Sequence, residues 1–532
     1  MQENVVDVGD RKQLFIDNRW FRNTRGVKLT VNPPVKHERV LMPDRPWESH
    51  LIGHYKTLIE HEGTYRMWYL AAARGVTEEH DANANHRVMT CYSTSDDGLH
   101  WERPNTNVIE WEGHRDNNIV MCGTHEIAVM LDPNGPDEHR FKALSPVNET
   151  PVWPESLKAN HCKPCPPGNL YYECHLLTSP DGITWKIAGV VSPYAHDNNN
   201  HFFFDRRLNR YAAYFRWNVC DNVRGIQRIR TITRSEFDDP MKLPWPYQQN
   251  PASNVLDDGR VGWEGGEYPI VMEADEQDPF LVYTDINDAP VVQYLWADDS
   301  YYFSFPSFYR HYDQNVRLIE PCDYEDPVRS VGHYNTGVKD VQLAVSADGI
   351  QWERPERKPY IPLGLETEWD GGMTYAAIGM IRKGDEIWMY YSGTQCRHGT
   401  SDATQTYGGI GRLVQRLDGF VSADFDYTGG EFTTPLVKFS GAHLQLNVDC
   451  SAMGEISVEL RDERGIPIGA YNRSPPYEGY SMAESIPIDR NHLAAPARWL
   501  SHENVAELIG RPVRLHFKGR AAKLYAFQFA NS

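Results

Sequence analysis

Residues 91–104 read CYSTSDDGLHWERP: a strand ending at Ser95, a tight turn on Asp97 and Gly98, and a second strand opening at Trp101. An Asp-Gly pair between two alternating stretches marks a hairpin, because glycine accepts positive φ with no Cβ to clash. The motif recurs as TSDDGLHWERP at 94–104, TSPDGITWKI at 178–187 and VSADGIQWERP at 345–355. Degenerate copies stand at 231–246 (TITRSEFDDPMKLPWP) and 413–425 (LVQRLDGFVSADF), making five in all. Such long spacing is the mark of an internal repeat, with each Trp placed to pack between neighbouring units.

The element order upstream of each turn repeats as well. An apolar strand precedes a Tyr-rich alternating one: TYRMWYLAA from 64, HRFKALSP from 139, RYAAYFRW from 210, SYYFSFPSFY from 300 and DEIWMYYSG from 385. Alternation with period two is the signature of sheet packing. Each unit therefore supplies four strands, and five units predict an all-β chain with a five-bladed β-propeller over residues 1–429. The segment KQLFIDNRWFRNTRGVKLTVNPP, within the N-terminal stretch 1–46, is expected to lie across the propeller and help close it. From 430 to 532 the Tyr-rich pattern stops, and LVKFSGAHLQLNVDC, GEISVELRDERG, RPVRLHFKG and AKLYAFQFA predict a C-terminal β-sandwich. Helical periodicity is scarce, and HENVAELIG is the best short candidate.

Composition agrees: 532 residues with 35 prolines and 40 glycines suit a turn-rich β chain larger than one ordinary core. A formal net charge of −20, with no basic patch in the sequence, argues against nucleic acid and for a neutral or small partner. No apolar run is long enough to span a membrane, and the N-terminus lacks the apolar core of a signal peptide. The expectation is a soluble chain, cytosolic or with its leader removed. Nine cysteines spread thinly do not make a disulfide scaffold. In HCKPCPPGNLYYECH, Cys162 and Cys165 have zinc-knuckle spacing with His161, Cys174 and His175 nearby, but this is half a zinc site, so no metal and no cofactor is assigned.

Inner strands of a propeller converge on one channel, so the acids just before them are where chemistry is expected. The first unit offers Glu48, with Trp47, His50 and His54; the second His125 and Glu126; the third Asp197, Asn199 and His201. The fourth offers Asp285, Asp288 and Gln293, and the fifth Asp370. Carboxyls brought together from different units can divide acid and base roles between them. Arg216, Trp217, His311, Arg397 and His398, at strand ends beside polar loops, add candidate ligand contacts. The insertions at 146–170 and 313–338 are candidates for walling the pocket or for subunit contact, which leaves a homo-oligomer open. No Gly-x-Ser-x-Gly elbow, HExxH or phosphate-cradling glycine loop appears.

LFID, PWES, YRMWY, the repeated SxDGxxWxRP, EWDGGMTYAAIGMI with DEIWMYYSG, and the terminal RPVRLHFKGRAAKLYAFQF together resemble bacterial proteins of the glycoside hydrolase family 32 or 43-like group. The resemblance covers most of the chain. It implies the five-bladed superfamily of families 32, 43, 62, 68, 117 and 130, which cleave or transfer furanosides and related sugars. It further implies a base or nucleophile Asp in the first blade, a pKa-tuning Asp in the second and an acid Glu in the third. By position these fall on Glu48, Glu126 and Asp197, with the residue type inverted at each. WMNDPNG and RDP motifs are absent, which argues against fructans. The reading is thus a glycosidase acting on a terminal sugar through Glu48, Glu126 and Asp197. Trp47, His54, Asn199, His201, Arg216, Asp285, Gln293, Asp370 and His398 are its expected substrate contacts. The alternatives are a non-catalytic carbohydrate-binding propeller and a glycoside phosphorylase, which needs a basic cluster that the sequence does not display.

Overall fold

The computed structural model of the protein describes residues 4–74, 88–122, 127–147, 173–196, 199–221, 226–246, 248–249, 261–262, 266–267, 269–278, 284–311, 337–398, 406–469 and 479–531. Among these residues the chain is nearly all β, with short 3-10 turns and no α-helix. The HENVAELIG stretch, expected to be helical, gives a single 3-10 turn, Ala506–Leu508. Nine residues among strands are too few to offset the cost of helix nucleation. Among the described residues no helix is long and apolar enough to cross a membrane.

The repeat folds alike at its three clear copies. Gly98 N–H donates to Ser95 Oγ at 2.9 Å, and Asp97 Oδ1 accepts from the N–H of Leu99 and His100 at 2.7 and 2.8 Å. Ser179 with Asp181, and Ser346 with Asp348, repeat these bonds. The turn glycines take φ of 81°, 78° and 73°, a region that only glycine enters cheaply. Trp101, Trp185 and Trp352 donate Nε1 to the carbonyl of their own turn glycine.

Each of those carbonyls is also reached from the preceding sheet. Trp68 Nε1 donates to Gly182 at 2.7 Å, Tyr214 Oη to Gly349 at 2.7 Å, and Tyr390 Oη to Gly98 at 2.6 Å. The motif is therefore a staple between neighbours, and the last contact joins the fifth unit to the first.

The first unit is the antiparallel sheet Leu51–His61, Thr64–Ala72, Val88–Ser95, Ile119–Cys122. The second is Ala128–Leu131, Phe141–Val147, Glu173–Ser179, Lys186–Ala195, and the third His201–Asp205, Arg210–Asp221, Ile226–Phe237, Ile270–Met272. In the fourth the inner edge is broken: Thr284–Asp288 pairs with Ser307–His311, and Val291–Gln293 with Tyr302–Ser304. The fifth is Met373–Ala376, Glu386–Thr394 and Ile410–Arg416, completed by the N-terminal strand Val35–Leu41. The strand that completes the fifth unit, Val35–Leu41, follows the segment 12–34 expected to close the propeller; the strands of that segment join the C-terminal sheets instead. The strand expected to follow the fifth turn, Val421–Phe425, instead leaves the unit to pair with Ala522–Ala530 and Val27–Val31.

Aromatic and aliphatic side chains fill every junction. Trp68 and Tyr92 pack with Phe141 and Leu177, Leu144 and Leu176 with Phe202 and Phe215, and Tyr214 with Ile286 and Phe308. Phe303 and Val345 then pack with Ile387 and Met389, and Tyr390 and Ile410 with Met67 and Tyr69, so the last sheet lies on the first. The inner strands meet directly: Val129 N–H donates to Thr57 Oγ1, Val291 N–H to His201 Nε2, and Ile378 N–H to the Lys56 carbonyl.

The C-terminal part forms two sheets around one core that includes Leu446, Val458, Phe517 and Phe527. Strands from the N-terminus are woven into both, with Gln13–Leu14 and Val27–Val31 in one and Arg22–Arg25 in the other. Phe15 and Trp20 belong to the same core. The unit thus begins before the expected boundary at 430 and takes in the N-terminal strands.

Candidate functional site

The strand Thr284–Asp288 is buried along its whole length although it reads TDIND. Burying such a strand is tolerable only if its polar groups find partners. Its register against Ser307–His311 shifts between Ile286 and Asp288, and such an irregularity re-aims side chains. Asp285, Asn287 and Asp288 each meet polar groups from other strands.

Asp285 accepts from Arg230 Nη1 at 2.9 Å and from Arg230 N–H at 3.1 Å, and its other oxygen lies 3.2 Å from His311 Nε2. Burial alone raises this carboxyl, but Arg230 and His311 overcome it and hold the group well below the usual carboxylate range. Asp288 lies in the opposite condition. Its Oδ2 accepts from Asn199 Nδ2 at 2.8 Å, while Oδ1 is buried without a well-formed hydrogen bond, although the Ser307 hydroxyl is near enough to lower the group. Burial dominates and raises its pKa, against the fields of Lys339 and Lys56.

Asn287 joins the remaining groups. Its Oδ1 accepts from Lys339 Nζ at 3.0 Å, its carbonyl from Arg216 Nη1 at 3.3 Å, and its Nδ2 donates to Tyr55 Oη at 3.4 Å. Lys339 Nζ also donates to Tyr375 Oη at 3.0 Å and sits 4.4 Å from the Tyr309 ring centroid. Lys56 Nζ donates to the Tyr375 carbonyl at 2.9 Å and to Ser392 Oγ at 3.0 Å. The rings of His54 and Tyr375 lie 4.9 Å apart, and Tyr309 Oη is 3.3 Å from His398 Nδ1.

Of the expected residues, the fold gathers His54, Asn199, Arg216, Asp285 and His398 here. His201 lies alongside, with Nδ1 3.1 Å from the Asn199 carbonyl, and burial lowers its pKa to about 4. Glu126 and Asp197 lie outside the described residues, as do Cys162, Cys165 and the bulk of both insertions.

Four expected residues sit elsewhere. Glu48 is 0% exposed, and its oxygens accept from Tyr69 Oη at 2.7 Å, Arg103 Nε at 2.8 Å, Arg103 Nη2 at 3.0 Å and Asp44 N–H at 3.2 Å. It anchors the loop before the first sheet and does not join the other carboxylates. Trp47 belongs to the same anchor, donating Nε1 to Asn118 at 2.9 Å and packing on Trp111. Asp370 accepts from Lys36 Nζ at 2.6 Å and Tyr391 Oη at 2.9 Å, tying the fifth unit to its N-terminal strand. Gln293 bonds Arg206 N–H and the Asp299 carbonyl at the far end of the fourth inner strand.

Gln293 also lines a cavity of about 960 Å³ with Thr57, Val129, His201, Val291 and Ile378. The first and fourth inner strands reach this largely apolar cavity after their polar residues: Thr57 follows Lys56, and Val291 follows Asp288. In these two strands the polar groups lie at the start and the void at the end.

Sequence reading missed Tyr55, Lys56, Arg230, Asn287, Tyr309, Lys339 and Tyr375. The missing basic cluster is present: Arg216, Arg230, Lys56 and Lys339 come from four separate strands, and no run of sequence displays it.

No family profile matches the chain, and no curated protein matches it. Among solved structures it is similar to BT0996 in a complex with RGII, at 11% identity and a TM-score of 0.42 over 73% of this chain and 93% of that one. It is also similar to a glycosyl hydrolase from Bacteroides ovatus, at 12% identity and a TM-score of 0.38 over 77% and 97%. A third likeness is to a structure described under the GH130 family of mannoside phosphorylases, which contains glycoside hydrolases targeting β-1,2 mannosidic linkages in Candida mannan. It has 12% identity and a TM-score of 0.36 over 77% and 96%. Several of the solved structures it resembles are thus described as glycoside hydrolases, at identities and scores too low to bear on its chemistry.

Proposed function

We propose that the protein is a glycoside hydrolase whose successive sheets are the blades of a five-bladed β-propeller, with the two C-terminal sheets as a β-sandwich. The observation that carries this reading is the contrast between Asp285 and Asp288 on one strand. One carboxyl is held ionised by Arg230 and His311, and the other is raised by burial. Acid and base roles separate where neighbouring carboxyls are pushed apart in this way.

Asp288 is the proton donor: its carboxyl proton passes to the glycosidic oxygen as the C–O bond breaks. Asp285 is the ionised carboxylate, acting on the anomeric carbon or on the water that attacks it. Glu126 and Asp197, which precede the second and third inner strands, are kept as carboxylates of the same pocket. His54, Asn199, Arg216 and His398 contact the sugar. We read the enzyme as acting on a terminal residue.

The test is a screen of the purified protein against oligosaccharides, aryl furanosides and aryl pyranosides, with Asp288→Asn beside the wild type. General acid catalysis contributes roughly 10²–10⁴-fold, so Asp288→Asn should lose at least about 100-fold on an oligosaccharide and far less on a dinitrophenyl glycoside, whose leaving group needs no proton. The sign of the pH dependence follows from the direction of the shift. A donor must be protonated, so the wild-type rate falls as pH rises through the raised pKa of Asp288. The descending limb should be absent in Asp288→Asn. Sugar binding without cleavage of any glycoside, or full oligosaccharide turnover in Asp288→Asn, overturns the reading.

A further inference from the structure

Two buried ammonium groups in this site have no carboxylate partner among the described residues. Lys339 is 0% exposed and donates to the Asn287 side-chain oxygen and the Tyr375 hydroxyl, both neutral. An ammonium has three N–H donors, and the third here has no acceptor among the described residues. Lys56 is 2% exposed, and its bonds run to the Tyr375 carbonyl, Ser392 Oγ and, at 3.5 Å, the His54 carbonyl. Asp285 is engaged by Arg230 and His311, and Asp288 by Asn199, so neither carboxylate bonds either lysine.

Burying a cation without a bonded counter-charge is costly, and the protein shows the strain. Burial, then repulsion from Arg230 and Arg216, drives Lys339 well below its ordinary pKa. Burial lowers Lys56 to about 7, with Asp288 opposing. Lys339 also lies 4.4 Å from the face of Tyr309 and 5.3 Å from that of Tyr375, ring faces that favour positive charge without neutralising it. A bound oxyanion would supply the missing charge and accept the unused N–H.

We infer that this polar cluster recognises an oxyanion at Lys339, carried on the sugar as a carboxylate, sulfate or phosphate ester, or supplied as free phosphate. The inference rests on the reading of this site as a sugar site and sharpens its substrate class from sugar to anionic sugar or sugar plus phosphate. With free phosphate as acceptor, a phosphate oxygen would form the new bond to the anomeric carbon in place of water. The glycosidic C–O bond would break, and its oxygen would leave with the proton from Asp288.

The test is calorimetric titration of the full chain with inorganic phosphate, sulfate and D-glucuronate, against D-glucose, at fixed ionic strength in sodium chloride. At least one oxyanion should bind saturably and at least tenfold tighter than glucose, and Lys339→Gln should weaken it at least tenfold while leaving glucose unchanged. Where Lys339→Gln does not fold, Lys339→Arg, which keeps the charge, should retain oxyanion binding. Sugar 1-phosphate formed from an oligosaccharide in phosphate buffer identifies free phosphate as the source. Cleavage of an aryl glucuronide, but not of the glucoside, in phosphate-free buffer identifies the sugar carboxylate. No oxyanion binding above the chloride background, or binding unchanged in Lys339→Gln, overturns the inference. Cleavage of neutral glycosides with no oxyanion binding would sink it while leaving the hydrolase reading intact. Oxyanion binding with no bond cleaved would sink the hydrolase reading alone.

Discussion

Glu48 and Asp288 show how two carboxyls of similar burial come to differ in use. Every acceptor direction of Glu48 is spent on Tyr69, Arg103 and a backbone N–H, and its Arg103 partner is itself largely buried. Removing one member of such a pair leaves an uncompensated charge, so Glu48→Ala should cost about 3–5 kcal/mol. Denaturant unfolding measures that loss. On the proposed glycosidase reading, the specific activity of the remaining folded protein should change less than about twofold. Asp288 keeps one oxygen without a sound partner, which suits the proton-donor role proposed for it. Sequence could place both acids before inner strands, but it could not say which had found an arginine. Arg103 is 55 positions from Glu48 and sits inside the turn repeat, where it reads as part of the hairpin. Lys56 and Lys339 were illegible for a related reason, since a lysine in a strand is ordinarily solvated.

At the scale of the element, the Ser-x-Asp-Gly turn was the most legible feature, because its information is local. Serine, aspartate and glycine bond to atoms within three residues, and the same bonds form at every clear copy. What lies beyond the turn was less legible. The fifth copy has the turn but its following strand joins the C-terminal sheet, and the missing place is filled by Val35–Leu41. Local chemistry fixes a bend and does not choose the strand's next partner. The stapling contacts make a test of the turn's second role. A Cβ at Gly349 would collide with Arg234 and Tyr214, whereas one at Gly63, also at positive φ, meets nothing within 4 Å. Gly63→Ala should therefore cost about 1–2 kcal/mol, the left-handed penalty alone. Gly349→Ala should cost about 1–3 kcal/mol more, the usual penalty of overpacking. Comparing the two urea midpoints decides it, and equal losses would mean that the staple bears no load.

For the whole molecule, the formal charge of −20 conceals a cationic site. Lys56, Arg216, Arg230 and Lys339 are buried, so the acidic exterior and the basic interior are independent facts, and only the first is a property of composition. The N-terminal strands likewise belong to a body that sequence order hides. Deleting residues 1–31 removes Phe15 and Trp20 from the C-terminal core and three strands from its two sheets. The truncated chain should be recovered mainly as aggregate, and any soluble fraction should melt without a sharp transition by circular dichroism. A soluble, cooperatively melting product would show that these strands are dispensable.

The Val35–Leu41 strand has a consequence for the order of events during synthesis. Its partner, Ile410–Arg416, is made nearly four hundred residues later, and Tyr390 is needed before the first turn glycine is fully bonded. A ribosome-bound chain therefore carries an unpaired strand until that partner is made, and non-local pairing of this kind folds slowly. The alternating charges of VKHERVL suit that wait, because Lys36, Glu38 and Arg39 keep the strand soluble until the last sheet arrives to claim it.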